Sequence, residues 1–154
     1  MHGEANSPKA GMLANLALGT VIISATVVIH TLGLMTVTHL MGYLTGRLRM
    51  HGRRSRIVAM LTVVIGTFGL LTVQVWLWAT AYYLLDVVGD FDTALYFSTV
   101  TFSTIGYGDV VPAHGWRLFS ALEGLNGFLL IGWSTAYLIA AGVRVGPFRA
   151  GEHF

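Results

Sequence analysis

An all-α membrane protein is the fold class predicted by this 154-residue chain. Two features predict it. Hydrophobic residues make up 55% of the chain and charged residues 10%, whereas soluble domains carry about 25% charged residues. The apolar residues also gather into three runs, each exceeding the roughly 20 residues a helix needs to cross a bilayer. Length suggests one domain. The absence of cysteine excludes disulfides, thiolate metal sites and a cysteine nucleophile. The net charge is +2 with no aromatic-basic module, which excludes a nucleic-acid partner.

The first run extends from about Met12 to Leu44 and predicts a transmembrane helix over 12–45, after a tail at 1–11. It is far longer than the roughly 7–15 residues of a signal-peptide core, and its basic flank follows rather than precedes it. It contains no Asp, Glu, Lys or Arg, so it lacks the charged face of a helix lying on the membrane surface. The second run extends from about Ile57 to Leu85 and the third from about Leu118 to Val143. Between them, Phe91 to Ser103 is too short to span and reads as re-entrant or interfacial. "GDFDTALYF" offers Asp92 as its N-cap, with Thr93 second, and predicts a short helix over 92–103.

Arg47, Arg49, Arg53, Arg54 and Arg56 crowd the loop at 46–56, and Arg144 and Arg149 lie in the tail at 144–154. By the positive-inside rule both segments are cytoplasmic. Three spans then put the N-terminus outside, together with Asp86, Asp90, Asp92 and Asp109.

"TIGYGD", Thr104 to Asp109, follows the short helix. Non-helical backbone at membrane depth must be buried in protein or face a water-filled cavity. Glycine at alternate positions, Gly106 and Gly108, lets carbonyls that would alternate in direction all point one way. Several copies around an axis would form rings of carbonyl oxygens able to replace the water shell of a cation. Thr104 would add a ring of hydroxyls at the inner end, and Ile105 and Tyr107 would point into the surrounding wall.

This hexapeptide, the short helix before it, Pro112 and Trp116 after it, and the two flanking spans resemble the pore domain of potassium channels, with Ile105 where that family often has Val. The resemblance covers 57–143 and leaves the first helix outside it as an extra span. It implies an outer helix at 57–85, a pore helix at 92–103, a selectivity filter at 104–109, an inner helix at 117–143 and a tetrameric pore. It also implies that Thr104 to Gly108 supply the filter carbonyls, with those of Thr104, Ile105, Gly106 and Tyr107 coordinating dehydrated K⁺ and the Thr104 hydroxyl completing the lowest site. Tyr107 would brace the filter from behind. Asp109 would stand at the outer mouth, bonded toward Tyr96 or Phe97. The implied function is passive, K⁺-selective transport by a homotetramer in the plasma membrane, with K⁺ and lipid as partners and no cofactor. The alternative is a non-conducting or accessory pore-like subunit that requires a partner. An enzyme is not expected, because Ser103 has no evident His or Lys partner.

The chain departs from that template at two positions. Val100 stands where some relatives carry a buried pore-helix Glu, and Phe128 stands at the usual inner-helix glycine hinge, with Gly127 beside it. No voltage-sensing helix or cytoplasmic ligand-binding domain is expected.

Several polar residues lie inside the spans. Glu123 is a functional candidate, since an acid there is costly. It would support the filter from behind through the pore helix, or make a structural contact with a Ser, a Thr or Arg117. Asn126 would face a cavity below the filter or join two helices. His30 and His39, nine residues apart, fall on opposite helix faces and suit helix contacts better than a shared metal. Gly132, Ala136 and Ala140, and likewise Gly42 and Gly46, form small-residue stripes expected at helix contacts. Trp76, Trp78, Tyr82 and Tyr83 read as an interfacial aromatic belt.

Overall fold

The computed structural model describes residues 8–47 and 53–145. The expected outer tail before residue 8, the centre of the basic loop with Arg49, and the tail after 145 with Arg149 lie outside the described residues. Four α-helices follow in order: α1 (Pro8–Arg47), α2 (Arg53–Leu84), α3 (Phe91–Phe102) and α4 (Arg117–Val145), with a 3-10 turn at His114–Trp116 leading into α4. The described fold is all-α, and three stretches are long and apolar enough to cross a membrane: Gly11–Gly46, Arg54–Leu84 and His114–Arg144. The chain is a multi-pass membrane protein. Its helices outrun the apolar runs that predict them, because hydropathy marks the lipid-facing part while backbone hydrogen bonding continues into the polar flanks.

Short-range chemistry fixes where α2 ends and α3 begins. Asp86 takes a left-handed φ of 52° just past α2. There the Val87 N–H reaches the Tyr82 carbonyl at 3.0 Å, closing the helix end. The N-cap of α3 is Asp90, not the expected Asp92. Asp90 has extended backbone (φ −141°, ψ 162°), and its carboxylate accepts the Thr93 N–H at 2.9 Å and the Thr93 hydroxyl at 2.8 Å. Asp92 is already helical, so it cannot adopt the extended geometry of a cap, but its charge still favours the first turn. The bonds from Thr93 hold the Asp90 carboxyl below its usual range.

The chain falls into two compact units. One comprises the residues up to Val27 with Gln74–Leu129, the other Val28–Val73 with the residues from Leu130 on. In the first, an aromatic core joins α2, α3 and α4. The Tyr82 ring stands edge-on to Phe97 and Phe119 at 5.0 and 5.6 Å, and Trp78 lies 5.1 Å from Phe119. Lipid is as apolar as these rings, so close packing rather than exclusion of water holds them together. This core divides the expected aromatic belt. Trp76 and Tyr83 are about half exposed, whereas Trp78 and Tyr82 are fully buried. Positions 78 and 82 share one helix face and 76 and 83 another.

The N-terminal part of α1 belongs to the same unit. Asn15 donates its amide to the Gly115 carbonyl, Gly19 lies under Leu122, and Asn126 Nδ2 donates to Thr26 Oγ1 at 2.9 Å. In the second unit, Gly33 lies under Leu70 and Gly66 under Val37, drawing α1 and α2 together. Thr38 Oγ1 and the Tyr137 hydroxyl are 2.7 Å apart. The expected stripes do not make such contacts within the chain: Gly42, Gly46 and Gly132 have open space where a Cβ would stand.

Candidate functional site

The stretch from Val100 to Pro112 leaves the C-terminal end of α3 and runs back toward α4. Its first turn is tied to the helix it leaves. Ser103 N–H donates to the Thr99 carbonyl at 3.1 Å and Thr104 N–H to the Thr101 carbonyl at 3.0 Å. The Val100 carbonyl then accepts two N–H groups, those of Ile105 and Gly106, each at 3.0 Å. One carbonyl of α3 thereby sets the start of the extended strand.

Along that strand φ is positive at every second residue: 61° at Thr104, 56° at Gly106 and 77° at Gly108. Left- and right-handed backbone alternating in this way is the pattern that lets successive carbonyls face one side. Sequence reasoning anticipates the two glycines but not Thr104, an L-residue in a region that costs about 1–2 kcal/mol. Its bond to the Thr101 carbonyl and the two bonds that follow at Val100 hold it there.

The side chains of Ile105 and Tyr107 are exposed in the single chain, at 54% and 69%. At the outer end, the Tyr96 hydroxyl donates to Asp109 Oδ2 at 2.6 Å, while Asp109 Oδ1 accepts its neighbour Val110's N–H at 3.0 Å. The Tyr96 bond holds the Asp109 carboxyl below its usual range and raises the Tyr96 hydroxyl above its own. Phe97, the other aromatic considered as a partner for Asp109, is buried against Tyr82 instead.

Behind the strand, α4 approaches α3 closely enough that only glycine fits. A Cβ at Gly127 would stand 2.7 Å from the Phe102 carbonyl carbon and 2.9 Å from its Cα. Phe128, at the template's hinge position, is 66% exposed. Gly127 thus serves as a packing surface for the end of α3.

Glu123 is fully buried in this unit. Its Oε2 accepts the Tyr82 hydroxyl at 2.5 Å and its Oε1 the Ser98 hydroxyl at 2.6 Å, so both oxygens are occupied without Arg117. Asn126 is also buried, and its bond to Thr26 turns its amide toward α1 rather than toward an open cavity. His30 is buried beside Ser134 and Trp133, while the exposed His39 bonds the Met35 carbonyl of its own helix. No group of three metal-ligating side chains occurs among the described residues. A pocket of about 330 Å³ lies against the strand, lined in part by Thr101, Thr104, Gly106 and Arg117.

Residues 70–144 match the family model described as ion channel. Over 82 residues the chain is 39% identical to potassium channel subfamily K member 7 of Mus musculus, an alignment covering 52% of this chain and 27% of that protein. The chain thus spans about a quarter of the length of this curated relative. No solved structure matches the chain.

Proposed function

We propose that this chain is one subunit of a K⁺-selective channel, with four copies each contributing the strand Thr104–Gly108 to a shared filter. The observation that carries the reading is the alternation of positive φ at Thr104, Gly106 and Gly108. Such alternation lets the carbonyls of Thr104, Ile105, Gly106 and Tyr107 face one side, where rings of them would replace the hydration shell of K⁺. The strand's exposure supports the tetramer, since non-helical backbone at membrane depth needs neighbouring protein or a water-filled path around it. The ion channel family match over 70–144 and the relative named as a potassium channel support the same class. The arginines at 47–56 and at 144 favour an outer N-terminus and a cytoplasmic C-terminus.

Flux measurements on purified protein in liposomes test this reading. Wild type is expected to pass K⁺ and Tl⁺ and to reject Na⁺. Alanine at Gly106 would hold a side chain at φ 56°, costing about 1–2 kcal/mol per copy and so about 4–8 kcal/mol over four copies. That is enough to depopulate the conducting backbone, and K⁺ flux should vanish in Gly106→Ala. Unchanged selectivity in the variant would refute the filter assignment. A wild type that passes neither ion would favour the accessory-subunit alternative.

A further inference from the structure

One buried cluster is not absorbed by the filter itself. Glu123 of α4, Tyr82 of α2 and Ser98 of α3 are all fully buried, and the two hydroxyls converge on one carboxyl group. The Ser98 hydroxyl also lies 2.9 Å from the Val75 carbonyl of α2. We propose that Glu123 is a positioning residue for the filter: through Ser98 and Tyr82 it fixes the rotation of α3, and so the place of the Val100 carbonyl that holds the Ile105 and Gly106 N–H groups. The inference rests on the channel reading and adds a specific residue to it.

The physical case turns on direction. Three helices could be held together at this point by an apolar side chain of similar size, without the cost of burying an acid. Dispersion contacts, however, are non-directional at each atom, so a packed apolar side chain resists rotation of a helix less sharply than a hydrogen bond does. Hydrogen bonds weaken steeply away from their preferred angle, and so resist it. Rotation matters here because Ser98 and Val100 are two residues apart on the same helix. Turning α3 at Ser98 carries the Val100 carbonyl with it. That carbonyl accepts both filter N–H groups at 3.0 Å, so its displacement is passed directly to Ile105 and Gly106. Val100 is apolar and cannot provide the latch itself, so the hydrogen-bonding group reaches α3 from the neighbouring helix at Glu123.

Proton counting predicts which substitute should work. Ser98 has one hydroxyl proton and two oxygens in reach, Val75 O and Glu123 Oε1. Its single proton serves both only as a shared donor, whereas a residue 123 that donates to Ser98 would leave that proton to Val75 alone. Glutamine can do this through its amide N–H while its carbonyl accepts from Tyr82. Leucine can do neither.

The test uses the full chain in planar bilayers, with K⁺, Rb⁺ and Na⁺ permeability ratios, mean open time and thermal stability of the assembled protein as readouts. Ser98→Ala and Glu123→Leu should each shorten the mean open time about tenfold and lower K⁺ over Na⁺ selectivity, since each removes two hydrogen bonds between buried partners. Tyr82→Phe should act in the same direction, and Glu123→Gln should stay within about twofold of wild type. If Glu123→Leu fails to assemble, the two hydroxyl deletions carry the test. Variants that lose thermal stability but keep wild-type selectivity and open time would reduce Glu123 to a structural contact and overturn the proposal. So would a Glu123→Gln channel as impaired as Glu123→Leu. A wild type that does not select K⁺ removes the channel reading and this inference with it, whereas a selective wild type with indifferent variants removes the inference alone.

Discussion

Alanine at Gly127 should be the most damaging single-methyl change in α4. Its Cβ would stand 2.7 Å from the Phe102 carbonyl carbon, against the 3.4 Å where ordinary contact begins, so one helix must retreat by at least 0.7 Å. The obstacle is backbone, which cannot swing aside as the end of a flexible side chain can. Phe102 is the last residue of α3, two residues before Thr104, so a retreat at this point moves the anchor of the filter strand. Overpacking of this kind costs about 1–3 kcal/mol in each copy of the chain. Gly127→Ala should therefore lower the thermal midpoint of the purified protein and reduce K⁺ over Na⁺ selectivity in liposome flux. Gly132→Ala serves as the comparison, because it adds the same methyl to the same helix where nothing of the same chain lies within 4 Å. If both variants melt with the wild type and select K⁺ equally well, the close approach of α4 to α3 is not as described and the reasoning fails.

Two further predictions concern the outer mouth and the first helix. The Asp109 carboxyl, held below its usual 3.8 by the Tyr96 hydroxyl, keeps this bond fully formed above that pH and loses it only as pH falls through the lowered value. Tyr96, raised above 10.0 mainly by the same bond, keeps its proton beyond the usual alkaline limit, so the contact holds throughout the interval between. Tyr96→Phe should make conductance sensitive to milder acid than in wild type, and coincident acid midpoints for the two proteins would refute this. For α1, the Thr26–Asn126 bond should show a coupling of about 0.6 kcal/mol, the average for hydrogen bonds between membrane helices, in a double-mutant cycle of Thr26→Val and Asn126→Leu read by thermal or denaturant stability. Strictly additive effects would mean that the two side chains do not depend on each other.

The three spans and the short helix were legible because hydropathy and length report on lipid directly. "TIGYGD" was legible because glycine at alternate positions has few other uses at membrane depth. What escaped the sequence depended on which helix face meets which neighbour. Both Asp90 and Asp92 are acceptable caps by composition, and only the extended backbone at Asp90 decides between them. Trp78 and Tyr82 read like their exposed neighbours Trp76 and Tyr83 until α3 and α4 are set against α2. The small-residue stripes drew attention to Gly42, Gly46 and Gly132, whereas the close approaches fall at Gly19, Gly33, Gly66 and Gly127. No local signal separates these groups, since each is a glycine in an apolar helix. For Glu123 the signal was its cost in a span, but its partners came only with the fold.

Thr104 connects these observations. Glycine supplies the left-handed backbone at Gly106 and Gly108 with no steric penalty, but the same alternation requires it at Thr104, where a side chain is present. A threonine can stay there only if its surroundings supply more than the 1–2 kcal/mol or so that the conformation costs. The supply is visible as three hydrogen bonds from the strand to the last turn of α3, two of them on a single carbonyl at Val100. The strand is therefore only as well defined as α3. In turn α3 is held by the Gly127 approach at its C-terminal end, by Ser98 and Glu123 near its middle and by Asp90 at its start. The glycines make the alternating backbone of the strand possible, and the fixed position of α3 makes it the conformation the chain adopts. Substitutions that loosen α3 without touching the strand should consequently impair selectivity as surely as substitutions within it.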